Sequence, residues 1–294
     1  MKRITRIACA VLAAVVVAGC TYRIDESNIV IARSAPPVDL SVLHAEFPGY
    51  RIEPAAITTP DGNRLQSLRF VREDAVATVL YFGGNGYTVA RFAPRTLAVY
   101  RDLPVNVVLV DHRGYGGSSG TPTVETLMAD AGLVHAQVRA DPAFAGMPLL
   151  LHGHSLGSFM AGHVAAERPV DGVILESSVT TTEDWTAHLR SQQRWWVRAL
   201  VWRVLPDEGL ARMGNSRAVA ALDEPALFVV GADDDITPAR FTRELFDIAP
   251  LAEDRKRLLV VPGRGHQDAT DTDAFRETMA AFVEHVVEAG SPTG

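Results

Sequence analysis

The sequence predicts an α/β protein with one mostly parallel sheet of about eight strands and helices on both faces. Three observations carry that expectation. Short apolar runs without polar alternation recur at 77–82, 105–110, 149–151, 172–175, 226–230 and 257–261, as in strands buried on both sides. Longer segments at helical spacing separate them, around 88–100, 124–139, 239–248 and 273–287. The third apolar run ends in Gly153-His154-Ser155-Leu156-Gly157, after which Leu156, Phe159, Met160, His163 and Val164 fall at helical spacing. A strand, a tight turn and a helix are therefore expected in direct succession.

The chain begins with a different kind of segment. Lys2, Arg3 and Arg6 form a basic start, 7–18 is apolar throughout, and Val17-Ala18-Gly19-Cys20 follows. This is the layout of an export signal over residues 1–19, with an apolar stretch shorter than the roughly 20 residues a membrane span needs. Its ending resembles a bacterial lipobox, which implies lipidation at Cys20 and a location in the bacterial cell envelope, facing the periplasm or the outer membrane. Cys9 and Cys20 are the only cysteines, so the mature chain has no disulfide, no thiolate nucleophile and no cysteine-based zinc site. Residues 20–45 lack periodicity and contain Pro36-Pro37; they are expected to be a tether, with the folded domain over 46–294. The net charge of −7 argues against nucleic acid or an anionic bilayer as the main partner. No repeat is present, and a monomer is expected.

Within the domain, a turn at Pro60-Asp61-Gly62-Asn63 between two alternating segments predicts an antiparallel hairpin ahead of the parallel strands. The connection over 180–222 is far longer than usual and holds all four tryptophans, Trp185, Trp195, Trp196 and Trp202. Trp195, Trp196, Ala199, Leu200 and Val204 make one apolar face, so a short helical lid packed onto the body is expected there.

Chemistry concentrates in four further places. A G-x-S-x-G turn needs small residues at its flanks because the chain reverses there with neighbours close on both sides, leaving Ser155 at the apex as a candidate nucleophile. Val230-Gly231-Ala232-Asp233-Asp234-Asp235 follows the fifth parallel strand, and Pro262-Gly263-Arg264-Gly265-His266 follows the sixth. A histidine on a Gly-rich loop past the last strand suits a proton carrier. Gly83-Gly84-Asn85-Gly86 ends the first parallel strand, and Asp111-His112-Arg113-Gly114-Tyr115-Gly116 the second. His152 and His154 could share a strand face, but no third metal ligand accompanies them; neither metal nor cofactor is expected.

Taken together, these segments resemble the α/β-hydrolase superfamily, and within it a branch similar to serine aminopeptidases and membrane-tethered depalmitoylases. The resemblance spans about 57–287. It implies an α/β-hydrolase fold and a triad of Ser155, Asp234 and His266, with Asp234 chosen because Gly231, Asp234 and Pro238 match the family's G-x-x-D-x-x-x-P. It implies an oxyanion hole from the main-chain N–H groups of Asn85 and Leu156, a nucleophile elbow of Gly153, His154 and Gly157, and loop support from Gly84, Asp111 and Arg113. Gly83 departs from the family, which commonly has histidine there. Glu176, where some hydrolases carry an alternative acid, is expected to stand behind the site. The implied activity is cofactor-independent hydrolysis of an acyl ester or thioester. A peptide-cleaving enzyme on the same fold, and a non-catalytic envelope lipoprotein using the fold as a binding scaffold, are the alternatives.

Overall fold

The computed structural model describes residues 20–290. The export signal expected over residues 1–19 lies outside the described residues. The strands are β1 (Cys20–Ile24), β2 (Arg33–Ser34), β3 (Arg51–Thr58), β4 (Arg64–Val71), β5 (Ala77–Phe82), β6 (Val105–Val110), β7 (Tyr115–Gly116), β8 (Leu149–His154), β9 (Gly172–Glu176), β10 (Val201–Pro206), β11 (Ala226–Gly231) and β12 (Lys256–Val261). The α-helices are α1 (Leu40–Glu46), α2 (Val89–Tyr100), α3 (Val124–Ala140), α4 (Leu156–Glu167), α5 (Thr182–Ser191), α6 (Trp195–Leu200), α7 (Ser216–Val219), α8 (Ala239–Ile248) and α9 (Asp273–Gly290).

Eight strands form the central sheet in the order β12-β11-β9-β8-β5-β6-β4-β3. The pairs from β12 to β6 are parallel, and the β3–β4 hairpin joins antiparallel to β6. This is the mixed sheet that the apolar runs and the hairpin turn predict. Alternation within β8 explains why these runs look uniformly apolar. Leu149 and Leu151 belong to one core cluster with Met160 and Val164 of α4. Leu150, facing the other way, belongs to a second cluster with Met279, Phe282 and Val286 of α9. Both sides of the sheet are buried, so no polar position interrupts the strand. Helix α3 has a complete capping box, in which Thr123 and Thr126 satisfy each other's backbone N–H.

Two regions differ from expectation. Residues 20–34 are docked on the domain rather than standing off it. Strand β1 pairs in parallel with β10, and β2 with β7. The Glu26 carboxylate accepts a hydrogen bond from Val124 N–H at the start of α3 (2.9 Å), where a helix N-terminus favours negative charge. Val30 is buried in the core cluster beside Leu65 and Val110. Leu65 aside, these partners lie about 80 to 180 residues away, so local periodicity carries no trace of the pairing. The insert over 180–222 also departs from a purely helical lid, since it contributes β10 as well as α5, α6 and α7. Its apolar face does not pack onto the body: Trp195, Trp196, Leu200 and Trp202 are exposed.

Candidate active site

The site lies at the C-terminal edge of the parallel strands, where β8 turns into α4. Ser155 occupies the apex with φ 51° and ψ −115°, a conformation that side chains rarely adopt. It is held there by the sheet, because Ser155 N–H donates to the Glu176 carbonyl of β9 (2.9 Å). Crowding explains the flanking glycines. A Cβ at Gly157 would lie 2.0 Å from the Phe82 carbonyl oxygen, and one at Gly153 would lie 2.3 Å from that of Gly157.

The structure brings Ser155, His266 and Asp234 together. Ser155 Oγ lies 3.0 Å from His266 Nε2, and His266 Nδ1 lies 2.9 Å from Asp234 Oδ2. An ionised Asp234 can only accept, so Nδ1 carries the proton and Nε2 is left to accept from the serine hydroxyl. The Asp234 carboxylate is further satisfied by Ile236 N–H (3.0 Å), Thr237 N–H (2.7 Å) and the Thr237 hydroxyl (2.7 Å). Burial pushes its carboxyl up, but hydrogen bonding to His266, the charge of His266 and the Thr237 donors outweigh that and hold it below the ordinary carboxylate range. Asp233 and Asp235 are exposed, as a solvated loop requires.

His266 is fixed by the elbow itself. His154 Nε2 donates to the His266 carbonyl (2.8 Å), and Gly84 makes room for that imidazole, since a Cβ there would lie 2.8 Å from His154 Nδ1. Burial lowers the His154 pKa, so the ring is neutral and acts as a donor.

Leu156 and Asn85 line the same cavity as Ser155, and neither main-chain N–H has an acceptor among the described residues. Leu156 is the first residue of α4, where no helical carbonyl is available. The Asn85 side chain orients its loop: Nδ2 donates to the Ile29 carbonyl (2.8 Å), and Oδ1 accepts from the Tyr115 hydroxyl (3.0 Å). The departure at Gly83 has a steric cause, because a Cβ there would lie 2.1 Å from the Tyr87 ring. Behind the loop, His112 Nε2 donates to the Gly83 carbonyl (2.7 Å).

The loop after β6 is a brace. Asp111 accepts from Val89 N–H (2.7 Å) at the start of α2 and from Gly117 N–H (3.0 Å). Arg113, nearly buried, ties the buried Asp130 of α3 to Asp61 in the β3–β4 turn. Glu176 sits beneath the elbow. Its carboxylate accepts from His152 Nε2 (3.2 Å), whose Nδ1 accepts from the Tyr100 hydroxyl. Burial would raise the Glu176 carboxyl, but His154 and His152 hold it below its usual range.

Over Ser155 opens a cavity of about 300 Å³. Phe159, Val179, Trp185, Leu210, Met213 and Ile236 give it an apolar wall, and no Asp or Glu among the described residues lines it. Residues that sequence reasoning missed also contribute. Ile29 lines the cavity from the segment expected to be a tether. Asn215 Nδ2 bonds Ser178 Oγ (2.6 Å) and the Ser158 carbonyl (3.0 Å), tying the end of the insert to α4. Thr237 was legible as an Asx-type turn three residues after Asp234. Asn215 and Ile29 left no such local signal. Among the described residues, no group of three or more His, Cys, Asp or Glu side chains is placed to hold a metal ion.

Comparison with known proteins bears on the fold and the superfamily. The family described as Serine aminopeptidase, S33 (Hydrolase_4) matches residues 73–216. The uncharacterized protein Rv2307c of Mycobacterium tuberculosis is 31% identical over 220 residues, covering 72% of this chain and 71% of that protein. The chain belongs to the α/β-hydrolase superfamily. This α/β-hydrolase is also similar to the lysophosphatidylserine lipase ABHD12 of Macaca fascicularis, 30% identical over 203 residues, covering 61% of this chain and 48% of that one. Among solved structures, the Pyrococcus furiosus esterase Pf2001 shares the fold at a TM-score of 0.67 and 16% identity, over 89% of this chain and 97% of that one. The α/β-hydrolase elbow, both loops after β5 and β6, and most of the insert fall inside the family match. Asp234 and His266 lie beyond it.

Proposed function

We propose that this α/β-hydrolase cleaves acyl esters or thioesters through an acyl-enzyme on Ser155. The observation that carries the reading is the unbroken relay from Ser155 Oγ through His266 to Asp234, opening onto an apolar cavity. Ser155 Oγ attacks the carbonyl carbon while His266 Nε2 takes its proton. The negative charge developing on the carbonyl oxygen is met by the N–H groups of Leu156 and Asn85. Collapse expels the alcohol or thiol, which receives the proton from His266. Water then attacks the acyl group, again giving its proton to His266, and the acid leaves with Ser155 restored. Asp234 holds the imidazole in the required tautomer throughout.

The family description favours a second reading, a serine aminopeptidase. An aminopeptidase must recognise a cationic α-amino group, and burying that charge needs an opposing carboxylate. The cavity lining has none, which favours a neutral acyl chain. A panel of p-nitrophenyl esters of increasing chain length, run beside aminoacyl amides, tests the choice. Ester turnover rising with chain length is expected; turnover of the amides alone would reject the reading. A fluorophosphonate probe should label the wild type and not Ser155→Ala, and an unlabelled folded wild type would favour the non-catalytic scaffold. Attachment to the bacterial envelope through lipid on Cys20 is part of the proposal. It rests on the apolar stretch and small residues preceding Cys20, and Cys20 itself is exposed.

A further inference from the structure

The lid carries an apolar surface that no described part of the chain covers. Helix α6 buries none of its six residues. A helix that short gains little from its own hydrogen bonds and ordinarily depends on a packed face. Instead Trp195 is 80% exposed, and Trp196, Leu200, Trp202 and, on the neighbouring strand β1, Tyr22 are also open to solvent. The surface is held in shape from beneath. Arg190 of α5 donates to the carbonyls of Val201 and Arg198, bracing α6 and β10, and the Trp202 indole N–H is satisfied by the Ala199 carbonyl (3.0 Å).

Charge reverses at the same place. The stretch 185–206 contains four arginines and no carboxylate, in a chain whose net charge is −7. Arg194, Arg198 and Arg203 are exposed, as is Arg23 of β1, and none of the four pairs with a carboxylate among the described residues. The chain also enters the structure there. Cys20 pairs with Val201, the residue between Leu200 and Trp202, and the sequence leading to it is apolar over 7–18. Cys20, proposed to carry the lipid once residues 1–19 are removed, is thus fixed against the strand that holds the exposed Trp202.

Tryptophan with arginine is the composition favoured at a membrane–water boundary. The indole rings sit at headgroup level, and the guanidinium groups meet anionic phosphates. We infer that α6 and β10, with the outer edge of β1, form a docking surface for an anionic phospholipid bilayer. Trp195, Trp196, Leu200 and Trp202 enter the headgroup–acyl boundary, and Arg23, Arg194, Arg198 and Arg203 engage the headgroups. The acidic remainder of the molecule is repelled by the same bilayer, so the lid is the face turned toward it. Helix α5 joins this surface to the site, since it carries Arg190 at one end and the cavity residues Thr182 and Trp185 at the other. An acyl lipid leaving the bilayer then meets the cavity over Ser155, a consequence that rests on the ester reading; the docking itself does not.

The full chain reconstituted in vesicles of phosphatidylcholine and phosphatidylglycerol tests the surface, with acyl-brominated lipid as a contact quencher. Trp185→Phe leaves the three lid tryptophans as reporters. Blue-shifted emission and strong bromolipid quenching are expected. Combined Arg194→Gln, Arg198→Gln and Arg203→Gln should shift the ratio of docked to undocked lid by about a hundredfold toward solvent. The same triple change in the wild-type background should leave hydrolysis of a soluble short-chain ester unaltered. Emission that remains open to aqueous acrylamide while the chain is vesicle-bound would overturn the proposal. Emission shielded from both quenchers would overturn it too, because residues 7–18 or a second copy then cover the patch. Quenching is read without substrate, so its outcome is independent of the ester reading.

Discussion

The imidazole of His154 donates from Nε2 to the main-chain carbonyl of His266, 2.8 Å away. The residue preceding the candidate nucleophile therefore positions the loop that carries the candidate base. A shift of about an ångström between reacting groups costs roughly a hundredfold in rate. His154→Ala is expected to lower kcat by about 10- to 100-fold with KM nearly unchanged. His154→Gln, whose amide can still donate, should recover part of the loss. Equal losses in both variants, or a loss confined to KM, would argue against a positioning role.

Asp234 is expected to matter through orientation of the ring. Asp234→Asn should reduce kcat by about 10³- to 10⁴-fold, because an amide donor favours the wrong His266 tautomer. Thr237→Val removes one donor to the same carboxylate and should cost far less. Steady-state kinetics on a chromogenic ester order the two, and an equal effect would contradict the relay.

Stability should fall as pH drops from neutrality. Burial lowers the pKa of His112, His135 and His154 below the ordinary value of 6.5. The unfolded chain then binds protons that the folded chain refuses, so stability is full above about 6.5 and declines below it. Among the described residues the buried Nδ1 atoms of His112 and His135 have no hydrogen-bond partner, so an N–H formed there by protonation would find no acceptor. Asp234 acts in a lower window, since its depressed carboxyl contributes stability above the usual carboxylate range that is lost as pH falls through its folded value. Calorimetry from pH 7.5 downward checks this, and His112→Asn should flatten the slope near 6.5.

Arg113 is expected to dominate the brace after β6. Arg113→Leu leaves the Asp130 carboxylate buried with no cation, which costs about 3–5 kcal/mol in comparable buried pairs. Asp61, half exposed at the other end of the same arginine, should cost much less when changed to Ala. Urea denaturation separates the two variants.

The wall contributed by Ile29 predicts a change in specificity. Ile29→Trp should narrow the cavity and depress kcat/KM for long acyl chains more than for short ones. A flat profile across chain lengths would place the acyl group elsewhere.

The sequence by itself determined the order of the central strands and the main helices between them, the sheet class and the residues that meet at the elbow. Those features are local. Burial on both faces writes itself as unbroken apolar runs, and the elbow demands small residues two positions either side of Ser155. The Asp233–Asp235 loop and His266 were legible because each follows a parallel strand, and Asp234 was singled out by its match to the family's G-x-x-D-x-x-x-P spacing. The tertiary structure decided what depends on distant partners. Residues 20–34 look featureless because β1 is made by β10, some 180 positions on, and Ile29 reaches the cavity only through that docking. Gly83 is explained only by the Tyr87 ring beside it. The insert's apolar face predicts a surface to be covered, but only the fold reveals that the domain does not cover it. Apolar spacing reports that a face avoids water; which neighbour shields it is a property of the assembled chain.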